Sequence, residues 1–175
     1  AICYQSHARS LANAGREKEA EPFTQKALAG YEDVLKSVRT RIDATNDEKL
    51  KQRLGGIEFG ARVALANAFL SQARTADAEN VIQKLNVADD DKRAVVVWAL
   101  RIRTKVAQGA ITEAADAMDA AIAKAAEKGF DQKSLLGTCR SLATSLDNQA
   151  VERSKKKEHS TAAELWKKAI TFYQK

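Results

Sequence analysis

Proline, cysteine and aromatic residues are scarce in this sequence of 175 residues, which has one Pro, two Cys and 6% aromatic residues. Two cysteines are too few for a disulfide-stapled scaffold, and eight glycines exclude a collagen-like repeat. Proline is the residue least tolerated inside a helix, where it costs about 3 kcal/mol. Its scarcity permits long helices, and the few β-branched and aromatic residues argue against a sandwich, a barrel or a doubly wound sheet.

Long apolar runs are also missing. No run of about 18 apolar residues is present that would form a transmembrane helix, and the apolar core of a signal peptide is not found either. The chain begins with Ala1 instead of Met, and both of its ends have a helical pattern. We therefore expect a segment of a longer protein, and the sequence leaves cytoplasm and periplasm open as its compartment.

Alanine accounts for much of the apolar composition, with 33 Ala residues in a sequence that is 45% hydrophobic. Because Ala is the best helix former, this composition predicts an all-α protein. The length suits one domain with a sizeable core, and no stretch rich in Pro, Gly or Ser marks a linker. We therefore predict a single domain over residues 1–175.

Apolar residues recur at intervals of three and four along nearly the whole chain, as is typical of helices that bury one face. The sequence predicts eight helices joined by loops of about 2 to 5 residues, and such short loops force neighbouring helices to run antiparallel. The predicted helices cover residues 1–14, 18–42, 46–73, 76–86, 92–108, 111–127, 132–156 and 160–174.

Local signals refine two of these helices. Thr45, with Glu48 three residues later, forms a capping-box pattern before the third helix. Pro22 fits a second helix whose first turn begins near residue 19, because Pro is tolerated in a first turn and not deeper. Gly56 and Gly60 in the third helix are interpreted as a close contact with another helix or as a kink.

The chain repeats one pattern around the turns of its helical hairpins. The turn positions are Gly15, Ala73, Gly109 and Lys157. A small residue follows each turn at an offset of five, a bulky residue follows at nine in all units but the first, and a small residue or Leu follows at twelve. A small residue lets two helices approach to about 8–10 Å, and the bulky residue fills the groove beside it. The residues at offsets of five and twelve are Ala20 and Ala27, Ala78 and Leu85, Ala114 and Ala121, and Ala162 and Ala169.

This pattern resembles the tetratricopeptide repeat family, and the resemblance extends over all four hairpins. It is degenerate, because Lys105 replaces a large hydrophobic residue in the third unit and Lys157 replaces the turn glycine in the fourth. The resemblance implies a right-handed solenoid of stacked hairpins whose first helices line a concave binding groove. A helical bundle without repeats is the alternative fold.

The spacing of the repeats is irregular. Equivalent alanines are separated by 58, 36 and 48 residues, whereas the usual period of the family is about 34. Part of the extra length falls in the second and third helices. These two helices are therefore expected to form a hairpin that overhangs a standard unit.

Patterns typical of catalysis or of cofactor binding are missing from the sequence. The motifs HExxH and GxxxxGK[ST] do not occur, CxxC does not occur, and His7 and His159 stand in different terminal units. We therefore expect no enzyme activity, no cofactor and no metal site. Cys3 and Cys139 lie far apart in apolar stretches and are interpreted as buried free thiols.

The resemblance also indicates which residues would contact a partner, namely those beside the packing positions of the first helices. Arg9 and Arg103 would pair with acidic groups of a peptide or protein. Asn13, Asn67 and Ser71 would form hydrogen bonds with its backbone. What the resemblance implies is a non-catalytic scaffold for protein–protein interaction.

The charge leaves a second function open. The formal net charge is +6, and a basic surface suits RNA, which some helical-repeat proteins bind. The densest basic run, Arg153 to Lys157, is interpreted as a solvated helix end. Phe69, Trp98 and Trp166 fall on the packing faces and are interpreted as core residues, which leaves few aromatic side chains to stack on bases. Self-association, through the ends or through the long hairpin, is the third possibility.

Overall fold

The structure is a computed structural model that describes residues 1–174. All regular structure in this range is helical and contains no strand, which confirms the predicted all-α class. The helix ends differ from the predicted ends by no more than three residues. The eight helices are α1 (Ile2–Asn13), α2 (Glu17–Ala44), α3 (Glu48–Ser71), α4 (Thr75–Gln83), α5 (Ala94–Ala107), α6 (Ile111–Glu127), α7 (Lys133–Lys155) and α8 (His159–Tyr173).

The chain divides into two compact units, Ala1–Leu85 and Asn86–Lys175. In the first unit α1 packs on α2, α2 on α3, and α3 on α4. In the second unit α5, α6 and α7 pack against one another, and α8 packs on α7. The single domain expected from the sequence stays a prediction, and each unit is described by itself.

The core of the second unit is built from small and aliphatic side chains. In α6, Ala114, Met118 and Ala125 have no exposed surface, and the small alanines let neighbouring helices come close. The buried residues of α7 recur at helical spacing along one face of that helix, as the sequence predicts. They are Leu135, Thr138, Cys139, Leu142, Ala143, Leu146 and Ala150.

Two aromatic residues lie in the core of the first unit. Tyr31 of α2 and Phe69 of α3 are buried in one cluster together with Ala27 and Leu65. The Tyr31 hydroxyl donates a hydrogen bond to Oε1 of Gln5 on α1, at 2.6 Å. Burial raises the pKa of this hydroxyl. The phenol therefore stays neutral and joins α1 to α2 through a satisfied polar contact.

The four hairpin turns have one backbone conformation. The residues at the turn position all have positive φ: 72° at Gly15, 56° at Ala73, 79° at Gly109 and 64° at Lys157. In each turn the next residue donates its backbone N–H to the carbonyl five residues earlier, at 3.0 Å. This is the Schellman motif, which ends a helix with a left-handed residue. The second helix of every hairpin then begins two residues after the turn position, so the predicted alignment of the four turns is confirmed.

Two predicted signals at helix ends are wrong in detail. The N-cap of α3 is Asp47, whose carboxylate accepts the backbone N–H groups of Lys49 and Leu50 at 2.9 and 3.2 Å. Thr45 lies before the helix in extended conformation, and its hydroxyl accepts the N–H of Asp47. The carboxylate displaces the threonine because it lies nearer the first free amides of the helix.

The start of α2 also differs from the prediction. The helix begins at Glu17, so Pro22 lies inside it and not in its first turn. The carbonyl of Lys18 consequently has no N–H partner four residues later. Pro22 is exposed, so water can hydrate the freed carbonyl and the helix continues through the proline.

Burial departs from the sequence pattern at several apolar positions. Cys139 is buried as predicted, but Cys3 is exposed, because α1 packs only its Ala8 and Leu11 edge into the core. Trp166 is not a core residue, since it is 36% exposed. Other large residues of the predicted apolar faces are exposed as well: Tyr4, Val34, Ile57 and Tyr173.

The turn geometry generates a stability prediction. Ala73→Gly and Lys157→Gly are each expected to raise the free energy of unfolding by roughly 1 kcal/mol, because glycine adopts positive φ without a clash of its Cβ. Urea unfolding followed by circular dichroism measures the change. Gly109→Ala is the matched control and should lower stability by a similar amount. Equal stability of all three variants and the wild type would show that these turns do not require a left-handed residue.

Candidate functional site

Two of the predicted partner-binding residues lie on α1. Arg9 and Asn13 are both exposed and are one helical turn apart, so they share one face of the helix. Their neighbours Ala8 and Leu11 are buried against α2. The helix is therefore held by one edge and presents a guanidinium and an amide on another.

Two further residues lie on α3 and are less available. Asn67 is half-buried between the buried Ala66 and Ala68. Ser71 is exposed at the end of the helix, but its hydroxyl donates a hydrogen bond to the carbonyl of Ala68 at 2.7 Å. The Ser71 oxygen thus remains as an acceptor for a partner N–H, whereas its hydrogen is used within the helix.

Arg103 is the one predicted contact in the second unit. It is exposed on α5, between the buried Ile102 and Thr104. The Thr104 hydroxyl donates to the carbonyl of Leu100 at 3.0 Å, so this buried polar side chain is satisfied inside its own helix. Arg101, two residues earlier on α5, is a second exposed arginine.

A buried charged pair in the long hairpin of α2 and α3 was not predicted. Arg62 is 8% exposed and donates to Oε1 of Glu58 from both Nε and Nη2, at 3.2 and 2.5 Å. Nε of Arg39 on α2 lies 3.7 Å from the same carboxylate oxygen. The spacing of Glu58 and Arg62 by four residues was the available signal. Because all three charges are paired within the hairpin, we assign them to its internal packing.

An aromatic cluster joins α1 to α2 and was also missed. The rings of His7 and Phe23 meet edge to face with centroids 4.4 Å apart, and Tyr4 lies 6.4 Å from Phe23. The ammonium of Lys26 lies within 6 Å of both the Tyr4 and the Phe23 rings. Such contacts contribute about 0.5–1 kcal/mol at exposed sites, so this cluster helps to hold α1 in place.

The basic run at the end of α7 is partly neutralised within the chain. Arg153 pairs with Glu158 at 2.8 Å, and Lys155 pairs with Glu152 at 2.7 Å. The hydrogen bond from Lys155 holds the pKa of Glu152 below its usual value. Lys156 and Lys157 are exposed. The run therefore has the form of a solvated helix end, as interpreted from the sequence.

The other two aromatic residues considered for base stacking are engaged in packing. Phe69 is buried, with the Arg74 guanidinium 4.5 Å above its ring. Trp98 is half-buried, and the Lys124 ammonium lies 5.2 Å from its ring centroid. Lys124 also binds Asp89 at 2.6 Å, and this hydrogen bond lowers the pKa of that carboxyl group.

Neither a metal centre nor a membrane span is found among residues 1–174. No group of three His, Cys, Asp or Glu side chains in this range is arranged to hold a metal ion. No helix in the same range is both long and apolar enough to cross a bilayer.

When the chain was compared with protein-family models, with curated proteins and with solved structures, no significant match was found.

The glycines of α3 do not mark a close helix contact, which corrects one of the two interpretations offered by the sequence. A Cβ added at Gly55, Gly56 or Gly60 would meet no neighbouring atom within 4 Å. Gly56 and Gly60 are exposed inside a continuous helix. Their lack of a side chain is therefore not required by packing within the described residues.

A substitution series follows from this open space. Gly56→Ala and Gly60→Ala are each expected to raise the free energy of unfolding by about 0.5–1 kcal/mol, because alanine loses less backbone entropy in a helix. Thermal unfolding by calorimetry measures the shift. Gly30→Ala is the contrasting variant. Its Cβ would lie 3.2 Å from Cβ of Ala1, so this variant should gain less stability than the other two. A loss of stability at Gly56 or Gly60 would contradict the open space.

Proposed function

We propose that the chain is a non-catalytic scaffold that binds a protein or peptide partner along its first helices α1, α3 and α5. One observation carries the proposal. On each of these helices a predicted polar contact lies directly beside buried packing residues, with Arg9 beside Ala8 on α1 and Arg103 beside Ile102 on α5. The packing fixes the helix backbone, so these side chains project from a rigid support.

The chemistry of these side chains fits a peptide with acidic groups. The guanidinium groups of Arg9 and Arg103 can each bind a carboxylate through two parallel hydrogen bonds. The Asn13 amide offers both a donor and an acceptor to a peptide backbone, and the Ser71 oxygen offers an acceptor. Such a set recognises an extended acidic segment better than a neutral apolar one.

A tetratricopeptide-like solenoid is the architecture that we propose for this scaffold. The four equivalent turns at Gly15, Ala73, Gly109 and Lys157 support a repeat of one hairpin type. The mutual packing of α5, α6 and α7 supports stacking, because the first helix of one hairpin must contact both helices of the hairpin before it. Within each unit, the first helices would supply the residues that contact a partner.

A charge-reversal pair tests the proposal. The double variant Arg9→Glu with Arg103→Glu is expected to lose partners that the wild type retains in a pull-down, because two carboxylate contacts become repulsive. Each lost arginine–carboxylate pair, once buried under the bound partner, should cost about 2 kcal/mol or more of binding free energy. The retained proteins would be compared by quantitative mass spectrometry.

The matched control is Arg41→Glu with Arg101→Glu. Both of these arginines are exposed, one in each unit, and the pair changes the net charge by the same amount. Loss of partners in both double variants would indicate a general charge effect. Retention of every partner by the Arg9 and Arg103 variant would refute this assignment of the binding surface.

The proposal also predicts no stable complex with RNA. Part of the basic run at the end of α7 is paired within the chain, and Phe69 and Trp98 pack against their neighbours, so few groups remain to hold phosphates or bases. Filter binding of single-stranded RNA at about 0.05 M salt is the sensitive condition, because phosphate contacts are strongest there. Retention of RNA that falls steeply with added salt would replace the scaffold with an RNA-binding module.

A further inference from the structure

The repeat of the chain allows α8 to be compared with α6 position by position. Their turn residues are Lys157 and Gly109, so each residue of α8 corresponds to the residue 48 positions earlier in α6. The equivalent pairs include two buried alanines, Ala114 with Ala162 and Ala121 with Ala169. The alignment of α8 with α6 by 48 residues therefore matches both residue type and burial at these two positions.

Three other positions have opposite environments in the two helices. Met118 and Ala125 of α6 have no exposed surface, and Ile122 packs against the same core. The equivalent residues of α8 are Trp166, Ile170 and Tyr173, which are 36%, 54% and 53% exposed. In α6 these positions belong to a core that α7 completes, since α7 packs on both α5 and α6. Among residues 1–174 no helix occupies the corresponding place beside α7 and α8.

Apolar residues of α7 extend the exposed surface of α8. Leu136 and Val151 are 43% and 39% exposed, and their spacing of fifteen residues places them on one face of α7, with Arg140 between them. We call this surface the outer face of the α7–α8 hairpin. It consists of Leu136, Arg140 and Val151 of α7 with Trp166, Ile170 and Tyr173 of α8.

Hydrogen bonds hold the two aromatic side chains of the outer face. The indole Nε1 of Trp166 donates to Oδ1 of Asp147 at 2.9 Å, and the hydroxyl groups of Tyr173 and Thr144 lie 3.2 Å apart. These bonds tie the two aromatic side chains of α8 to α7. A cleft of about 430 Å³ opens beside them and is lined by Leu136, Gly137, Cys139, Arg140, Phe172 and Tyr173.

The unpaired charges of the outer face and beside it are positive. Arg140 within the face and Lys167, which follows Trp166 on α8, are both exposed, and no ion pair within residues 1–174 includes either of them. The carboxylate of Asp147 on α7 already accepts the hydrogen bond of Trp166. A ligand with negative charge beside an apolar surface would complement this arrangement.

We propose that the outer face is a docking site for an amphipathic helix of a partner protein, with an aliphatic stripe flanked by Asp or Glu. The repeat specifies the shape, because a helix equivalent to α7 covers the same positions on α6. The unpaired Arg140 and Lys167 specify the acidic flanks. This is recognition of a helix in a groove, with anchors at intervals of three and four residues. The outer face is a different surface from the one that contains Arg9 and Arg103.

A second copy of this chain is a poorer occupant. Two outer faces packed together would bring Arg140 and Lys167 of both copies to one interface, where like charges repel. The large apolar side chains that are exposed in the first unit are Ile2, Tyr4, Val34 and Ile57. They lie on three helices and do not form an aliphatic stripe flanked by carboxylates.

The test is a selection from displayed helical peptides of about 20 residues, a length of about 30 Å. The peptides carry Leu, Ile or Val at stripe positions and random Asp, Glu, Lys, Arg or Ser at the flanks. We expect the wild-type chain to enrich Asp and Glu at the flanks. The affinity of one enriched peptide is then measured by fluorescence anisotropy, and higher salt should weaken it by screening.

Substitutions at two isoleucines of nearly equal exposure provide the matched comparison. Ile170→Asp is expected to weaken peptide binding at least about tenfold, because it places a carboxylate at the centre of the docking site. Ile57→Asp makes the same change at a residue that is 52% exposed on α3 and should bind like the wild type. Arg140→Glu with Lys167→Glu should reverse the preference of the selection to Lys and Arg.

Several outcomes would overturn the proposal. These are a selection without binders, enrichment of Lys and Arg by the wild type, or equal binding by Ile170→Asp and Ile57→Asp. A wild-type dimer that Ile170→Asp dissociates, seen by sedimentation, would assign the outer face to self-association instead. The Arg9→Glu and Arg103→Glu variant should still bind the selected peptide, so failure of the proposed scaffold function can be told apart from failure here.

Discussion

The close approach of helices at alanine is the constraint on which the hairpins depend. The residue five positions after each turn is Ala20, Ala78, Ala114 or Ala162, and each is at most 5% exposed. A methyl group at this point lets the second helix lie against the first immediately after the turn. The Schellman geometry fixes where that helix begins, so turn and alanine together determine the packing of each hairpin.

The large side chains nine residues after each turn differ in how far they are buried. Nine residues after the turn, Ile82 and Met118 are buried, whereas Trp166 is 36% exposed. The sequence position is equivalent in all three, so the difference lies in the neighbouring helices. Burial at these equivalent positions therefore depends on which helices pack beside a residue as much as on the residue itself.

This dependence explains what could be predicted from sequence. The number of helices and the positions of the four turns follow from local periods and turn residues, and these predictions agree with the structure, whereas the helix ends agree only to within three residues. The exposure of Cys3 and Trp166 could not be predicted, because it depends on contacts between helices. Asp47 displaced Thr45 as the cap of α3 through a shift of two residues. Of the candidate site, local pattern located Arg9 and Arg103 on exposed faces, whereas the outer face requires the packing of α7 on α6 to be known.

The composition of the outer face separates it from an ordinary solvated surface. On α8, Trp166, Ile170 and Tyr173 are exposed, whereas the residues at the equivalent positions of α6 belong to a core. Trp and Tyr combine a large apolar surface with a polar group, and here both polar groups are bonded to α7. Fixed aromatic side chains lose little entropy on binding, which is why such residues are frequent at the centres of interfaces. A largely apolar face whose aromatic side chains are hydrogen-bonded to α7 and which carries unpaired cations has the physical properties of a binding surface, whether or not the first helices bind a second partner.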